Sequence, residues 1–117
     1  MQAKLSRLAA TEIDADALVL IEFEGGRRAE LAGPLSALYE SGEIKGKESE
    51  FTLLHGLNGH KARRVLIAGG GKRDRFDAAR LRSLAGAAVR FLKPKGIPNL
   101  AFALDDGFNT PAYAELL

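Results

Sequence analysis

Cysteine is missing from this chain, which removes structural disulfides, thiolate metal sites and cysteine nucleophiles at a stroke. Histidine is nearly missing: His55 and His60 are the only two, and neither has a carboxylate or third ligand beside it at metal spacing. Both read as strand-end or surface histidines. Long apolar runs are absent too, none being longer than Ala17 to Ile21, far short of the ~20 residues a membrane-crossing helix needs. No secretory apolar region follows Met1-Gln2-Ala3-Lys4, so the expected compartment is the cytoplasm, with no membrane partner. Lysine and arginine do not occur after Lys95.

What is present suits one folded unit. Of the 117 residues, 46% are hydrophobic and 27% charged, an ordinary soluble composition. At this length folding removes roughly two-thirds of the unfolded chain's surface from water, enough for one core and too little for two domains. The formal net charge of +2 hides a segregation: residues 1–60 carry 6 basic and 10 acidic groups, 61–95 carry 11 and 2, and 96–117 carry 0 and 3. The middle segment is thus +9.

The pattern of apolar residues alternates strand and helix signals. Gln2 to Leu8 alternates as a strand with one wet face, and Thr11 to Asp16 is turn-like. Ala17 to Phe23 is near-continuous and apolar, as in a central strand buried on both faces. Gly33-Pro34 predicts a short helix through Ser41, closed by Gly42, with Leu35 and Leu38 inward. Glu43 to Glu50 reads as a solvated loop and Phe51 to His55 as a third strand. Asn58-Gly59 marks a turn too short for a parallel crossover, so the next strand, Arg63 to Gly69, is expected antiparallel to the third. Asp77 to Leu92 is a helix whose Leu81, Leu84, Ala85, Ala88, Val89 and Leu92 share one face. Asp77 is its N-cap, Phe76 a staple onto Leu81, and Pro94 with Gly96 its stop. Asn99 to Leu104 supplies a fifth strand, parallel to the fourth, and Asp105-Asp106-Gly107 a turn. Thr110-Pro111 opens a last helix with no closing signal at Leu117, so the natural chain is expected to continue or the gene to be truncated.

Chemistry is expected first at Gly69-Gly70-Gly71-Lys72, where main-chain N–H groups between strand and helix can hold a phosphate or other anion. The nucleotide motifs fail, however. A Walker loop needs glycine at 66 and Ser or Thr at 73, where Leu66 and Arg73 stand; a dinucleotide fingerprint needs glycine at 74, where there is Asp74. A tight turn is the preferred reading, with Gly69, Gly70, Gly71 and Lys72 kept as a candidate anion site. Glu12, Asp14 and Asp16 alternate like a calcium loop, but Ala17 and Phe23 occupy its glycine and bidentate glutamate positions. None of the five serines has a nucleophile-elbow setting or a base beside it. The basic segment, with Arg63, Arg73, Arg75, Arg80 and Arg82, forms a candidate surface for nucleic acid phosphates, though without a recognition motif or interleaved aromatics; a solvated or oligomer-facing surface is preferred.

Four stretches carry a resemblance: Ala15-Asp16-Ala17-Leu18-Val19, LYESGEIKGK over 38–47, Leu53-Leu54-His55, and RRVLIAGGGKRDRFDAARLRSLAGAAVRFLK over 63–93. Their order and spacing resemble the N-terminal domain of the cytosol-type leucine aminopeptidases, over residues 3 to 117. The resemblance implies an α/β fold, a single macro-domain-like mixed β-sheet of about five to six strands flanked by helices. It implies that residues 1–117 are a non-catalytic domain that helps assemble a homo-oligomer and shapes substrate access. The family's active site lies in a C-terminal domain with two divalent metals, zinc or manganese, and an Asn-Thr-Asp-Ala-Glu-Gly-Arg signature; that signature is absent here, so no catalytic or metal residue carries over. The expected partner is therefore a catalytic domain in cis. Two other readings remain: a macro-like module holding ADP-ribose or another phosphate ligand at 69–72, and a nucleic-acid binder using 61–95.

Overall fold

The computed structural model describes residues 2–6 and 8–103; the turn expected at Asp105-Asp106 and the helix expected from Thr110 lie outside the described residues. Five strands form one sheet: β1 (Gln2–Ser6), β2 (Ala17–Phe23), β3 (Phe51–Leu54), β4 (Val65–Gly71) and β5 (Asn99–Ala103). Their spatial order is β1-β5-β2-β4-β3. All neighbours run parallel except β3, which is antiparallel to β4 in the register Phe51↔Ala68 to Leu54↔Val65. The Asn58-Gly59 turn accounts for that exception, since ten residues suffice for a hairpin and not for a crossover. β2 is central and every one of its residues is buried.

Strand periodicity divides the core in two. Ala17, Val19, Ile21 and Phe23 of β2 and Leu66 and Ala68 of β4 point to one face, where α3 (Ala78–Leu92) covers them with Leu81, Leu84, Ala85, Ala88 and Leu92. Leu18, Leu20, Val65 and Ile67 point to the other, against Leu31 of α1 (Ala29–Ala32) and Leu35 ahead of α2 (Ser36–Ser41). Burial of each large apolar side chain contributes about 1.5–3 kcal/mol, so the two-sided burial of β2 makes the sheet's centre its best-anchored part. α3 starts as its sequence predicts: the Asp77 carboxylate accepts from the Arg80 N–H at 2.9 Å. The Phe76 ring stands edge-on to Phe23, with centroids 5.1 Å apart, and packs against the cluster that holds Leu81.

Three expectations need correction. The helix expected from Gly33-Pro34 begins later, at Ser36, and is preceded by a short helix that was not expected, α1, which ends ahead of Pro34 because that residue has no N–H with which to extend its ladder. Gly42, at φ 82°, does close α2. The fourth strand runs to Gly71 instead of ending at Gly69, so the glycines belong to the sheet. Lastly, the 43–50 loop is only partly solvated: Ile44 enters the core and Gly46 is buried.

Candidate functional site

Glycines 69 to 71 are covered by other parts of the chain, Gly69 by the backbone of 46–47 and Gly70 by the Phe23 and Ile21 side chains. The Gly69 N–H donates to the Glu50 carbonyl at 2.8 Å and its carbonyl accepts from Ser49; the Gly71 N–H donates to the Gly46 carbonyl at 2.8 Å and its carbonyl accepts from Glu24. These N–H groups thus close the 46–50 loop onto β4. A side chain has no room here either: a Cβ on Gly69 would fall on the Lys47 carbonyl oxygen, and one on Gly70 would come within 2.7 Å of the Phe23 ring. Gly70 is the extra residue of a bulge, since Glu22 pairs with Gly69 and Phe23 with Gly71. Lys72 is exposed and lines a shallow cleft of about 280 Å³ with Lys47, Glu48, Arg75 and Arg80.

The larger opening lies one strand over, beyond the carboxyl end of β2. Glu22 is in phase with Leu18 and Leu20, so the strand directs it to the α2 side, where it is only 4% exposed. A buried carboxylate requires donors, and three are supplied. The Tyr39 hydroxyl donates to Glu22 Oε1 at 2.6 Å, the Arg28 N–H to the same oxygen at 2.8 Å, and the Phe23 N–H to Oε2 at 3.2 Å. Burial, and then the hydrogen bond to Glu22, push the Tyr39 hydroxyl well above its ordinary pKa of 10.0, so it stays a donor. The Arg28 guanidinium turns back to Glu30 at 2.7 Å and to the Ile21 carbonyl at 3.1 Å. Beside this network is a cleft of about 460 Å³, walled by Glu22 to Glu30 and by Arg73 from the exit of β4. Arg27 lies over the Tyr39 ring and Arg73 over the Phe23 ring, at 5.2 and 4.9 Å. The sequence signal for this place is a glutamate inside an otherwise apolar strand, and the motif reading passed over it.

The basic residues do not form one patch. Arg63 precedes β4 and meets Asp16 at 3.1 Å and Asp14 at 3.8 Å, while neighbouring Lys61 meets Glu12 at 2.8 Å. That hydrogen bond to Glu12 raises the Lys61 pKa. The three alternating acids therefore serve as counter-charges. Arg73 and Arg75 follow β4, whose seven residues put them roughly 23 Å from Arg63. Arg80 pairs with Glu48 at 2.9 Å, and Arg82 is exposed on α3. His55 is exposed after β3, and His60 lies in the turn with both ring nitrogens buried and without a hydrogen-bond partner among the described residues. Among the described residues no group of three His, Asp or Glu side chains is placed to hold a metal ion, and no helix is long and apolar enough to cross a membrane.

Comparison with known proteins gives these features their family. Residues 22–117 match the model of the cytosol aminopeptidase family, N-terminal domain. A probable cytosol aminopeptidase of Solibacter usitatus is 45% identical over 114 residues, which is 97% of this chain and 23% of that protein. The chain thus spans about a quarter or less of the length of the curated relatives it matches. Among solved structures, a tomato leucine aminopeptidase variant superposes with a TM-score of 0.64 at 20% identity, over 93% of this chain and 24% of that one. The macrodomain of Mycobacterium tuberculosis DarG superposes with a TM-score of 0.62 at 12% identity, over 97% of this chain and 84% of that one. Both likenesses concern the fold, and they bear out the macro-domain-like mixed sheet expected from the sequence. On the family match and the identity to curated relatives, this chain belongs to the cytosol aminopeptidase family, as its N-terminal domain.

Proposed function

We propose that residues 1–117 are the non-catalytic accessory domain of a leucyl-aminopeptidase-like metalloexopeptidase of the cytoplasm. In this reading the chain works beside a catalytic domain in cis, contributes to assembly of a homo-oligomer, and shapes the path by which peptides reach the active site. The observation that carries it is coverage: nearly all of this chain aligns with less than a quarter of its relative, so most of such a protein is still to be accounted for. Two-metal hydrolysis needs carboxylates free to hold ions that activate water and polarise the peptide carbonyl. Among the described residues five carboxylates are engaged by partners of the fold: Glu22 by Tyr39, Glu30 by Arg28, Glu12 by Lys61, Asp14 and Asp16 by Arg63, and no group of three His, Asp or Glu is placed to hold a metal ion. The two ions, zinc or manganese, would belong to the catalytic domain.

The test compares three proteins on a leucine anilide with added manganese or zinc: this chain, the full-length Solibacter relative, and that relative without its matching segment. The expected result is no metal-dependent turnover by this chain, and a smaller oligomer with altered activity on longer peptides after the deletion. Metal-dependent turnover by the pure chain would sink the non-catalytic reading. An unchanged oligomer mass by light scattering would remove the assembly role.

A further inference from the structure

The lining of the cleft beyond β2 has a chemistry of its own. Its place is one where ligands are expected on topological grounds. β2 is the middle strand of a mostly parallel sheet, and in open α/β sheets ligands bind in the crevice outside the carboxyl ends of the strands. At about 460 Å³ it falls within the size range of small-molecule pockets, near the lower end.

Its walls carry equal numbers of opposite charges: Arg27, Arg28 and Arg73 against Glu22, Glu24 and Glu30. Two of the carboxylates are already engaged, Glu30 by Arg28 and Glu22 by its three donors. Glu24 and Arg27 differ. Both are exposed, and among the described residues the Glu24 carboxylate makes no ion pair while the Arg27 guanidinium is held over the Tyr39 ring. They flank a tight turn in which the Gly26 N–H donates to the Phe23 carbonyl and Gly25 takes φ 77°. One fixed cation and one carboxylate thus open onto the same small cavity without pairing to each other.

We propose that this cleft binds a small zwitterion, a free α-amino acid or a dipeptide, with its carboxylate at Arg27 and its ammonium at Glu24. A phosphate-rich ligand is disfavoured, because three carboxylates line the space its charges would fill. A simple amine is disfavoured by the three guanidiniums. Free amino acids are also what an aminopeptidase releases, but the inference stands on the lining and would survive the loss of the accessory reading.

The experiment is a calorimetric or NMR titration of the 117-residue chain with leucine, N-acetylleucine, leucinamide and inorganic phosphate. Saturable leucine binding is expected, with a Kd on the order of 1 mM, and binding about fivefold or more weaker for the two blocked forms, each of which lacks one charge. Arg27→Ala and Glu24→Gln, both at exposed positions, should each weaken leucine by a similar factor without shifting the melting temperature. N-acetylleucine or phosphate binding as tightly as leucine would make the cleft an anion site and overturn the proposal. Leucinamide binding as tightly would do the same in favour of a cation site. Failure of leucine to saturate by about 50 mM would leave no site at all.

Discussion

Two adjacent strands end at the same edge of the sheet and are finished in opposite ways. β4 ends in three glycines: the 46–50 loop lies on Gly69 and takes the Gly71 N–H, while the Phe23 and Ile21 side chains occupy the space a Cβ on Gly70 would need. β2 ends in Glu22 and Phe23, and the chain then turns away through Gly25 and Gly26, leaving a cleft walled by charged side chains. The glycine-rich exit is therefore closed over at Gly69, with a cleft of about 280 Å³ left beside Gly71 and Lys72, and the side-chain-rich exit opens onto the larger one of about 460 Å³. A run of glycines after an apolar strand signals close approach of something; here that something is another part of the same chain.

The contrast can be broken most severely at Gly69. Gly69→Ala puts a methyl group on the Lys47 carbonyl, and overpacking against backbone should lower the unfolding free energy by about 3 kcal/mol in urea titrations. A loss under about 0.5 kcal/mol would mean that the loop does not sit on β4 and that the glycines are open after all. At the other exit, Glu22→Gln keeps the shape but removes the charge that three donors point at. About 2 kcal/mol should be lost at neutral pH, and a neutral result would show that the buried carboxylate is not what orders the cleft.

The smallest effect sharpens the comparison through pH. Tyr39→Phe removes one hydrogen bond to Glu22 and should cost about 1 kcal/mol near pH 8. In the native protein the Tyr39 pKa is raised, so above pH 10 the folded state keeps a proton that the unfolded state has released. The contribution is therefore complete below pH 10 and is lost as pH rises through the folded pKa. The stability gap between wild type and Tyr39→Phe should narrow between about pH 8 and about pH 11, when both are unfolded in urea. A gap that stays constant would mean that Tyr39 titrates alike in both states.

Much of the fold was legible because its signals are local. The apolar run 17–23, the heptad-like face of 78–92, the Asp77 cap and the Asn58-Gly59 hairpin each rest on residues within one or two turns of chain, and each appears where it was expected. The differences lie around Pro34, where α1 was not expected and the helix through Ser41 begins at Ser36, and where a distant segment intervenes. The 43–50 loop looked solvated from its charges, but its Gly46 and Glu50 carbonyls accept from Gly71 and Gly69 of β4, far along the chain. The basic excess of 61–95 was counted along the chain, whereas the fold pairs Arg63 with acids from 14–16 and Arg80 with Glu48.

By itself the sequence determined the strands and helices, the faces they bury and the family, since periodicity, caps and the order of motifs are properties of a line. Only the tertiary structure decided what each polar group does. Glu22 meets Tyr39 across 17 positions and Glu48 meets Arg80 across 32. Coulomb and hydrogen-bond energies depend on distances in space, and these exist only once the sheet has brought the segments together.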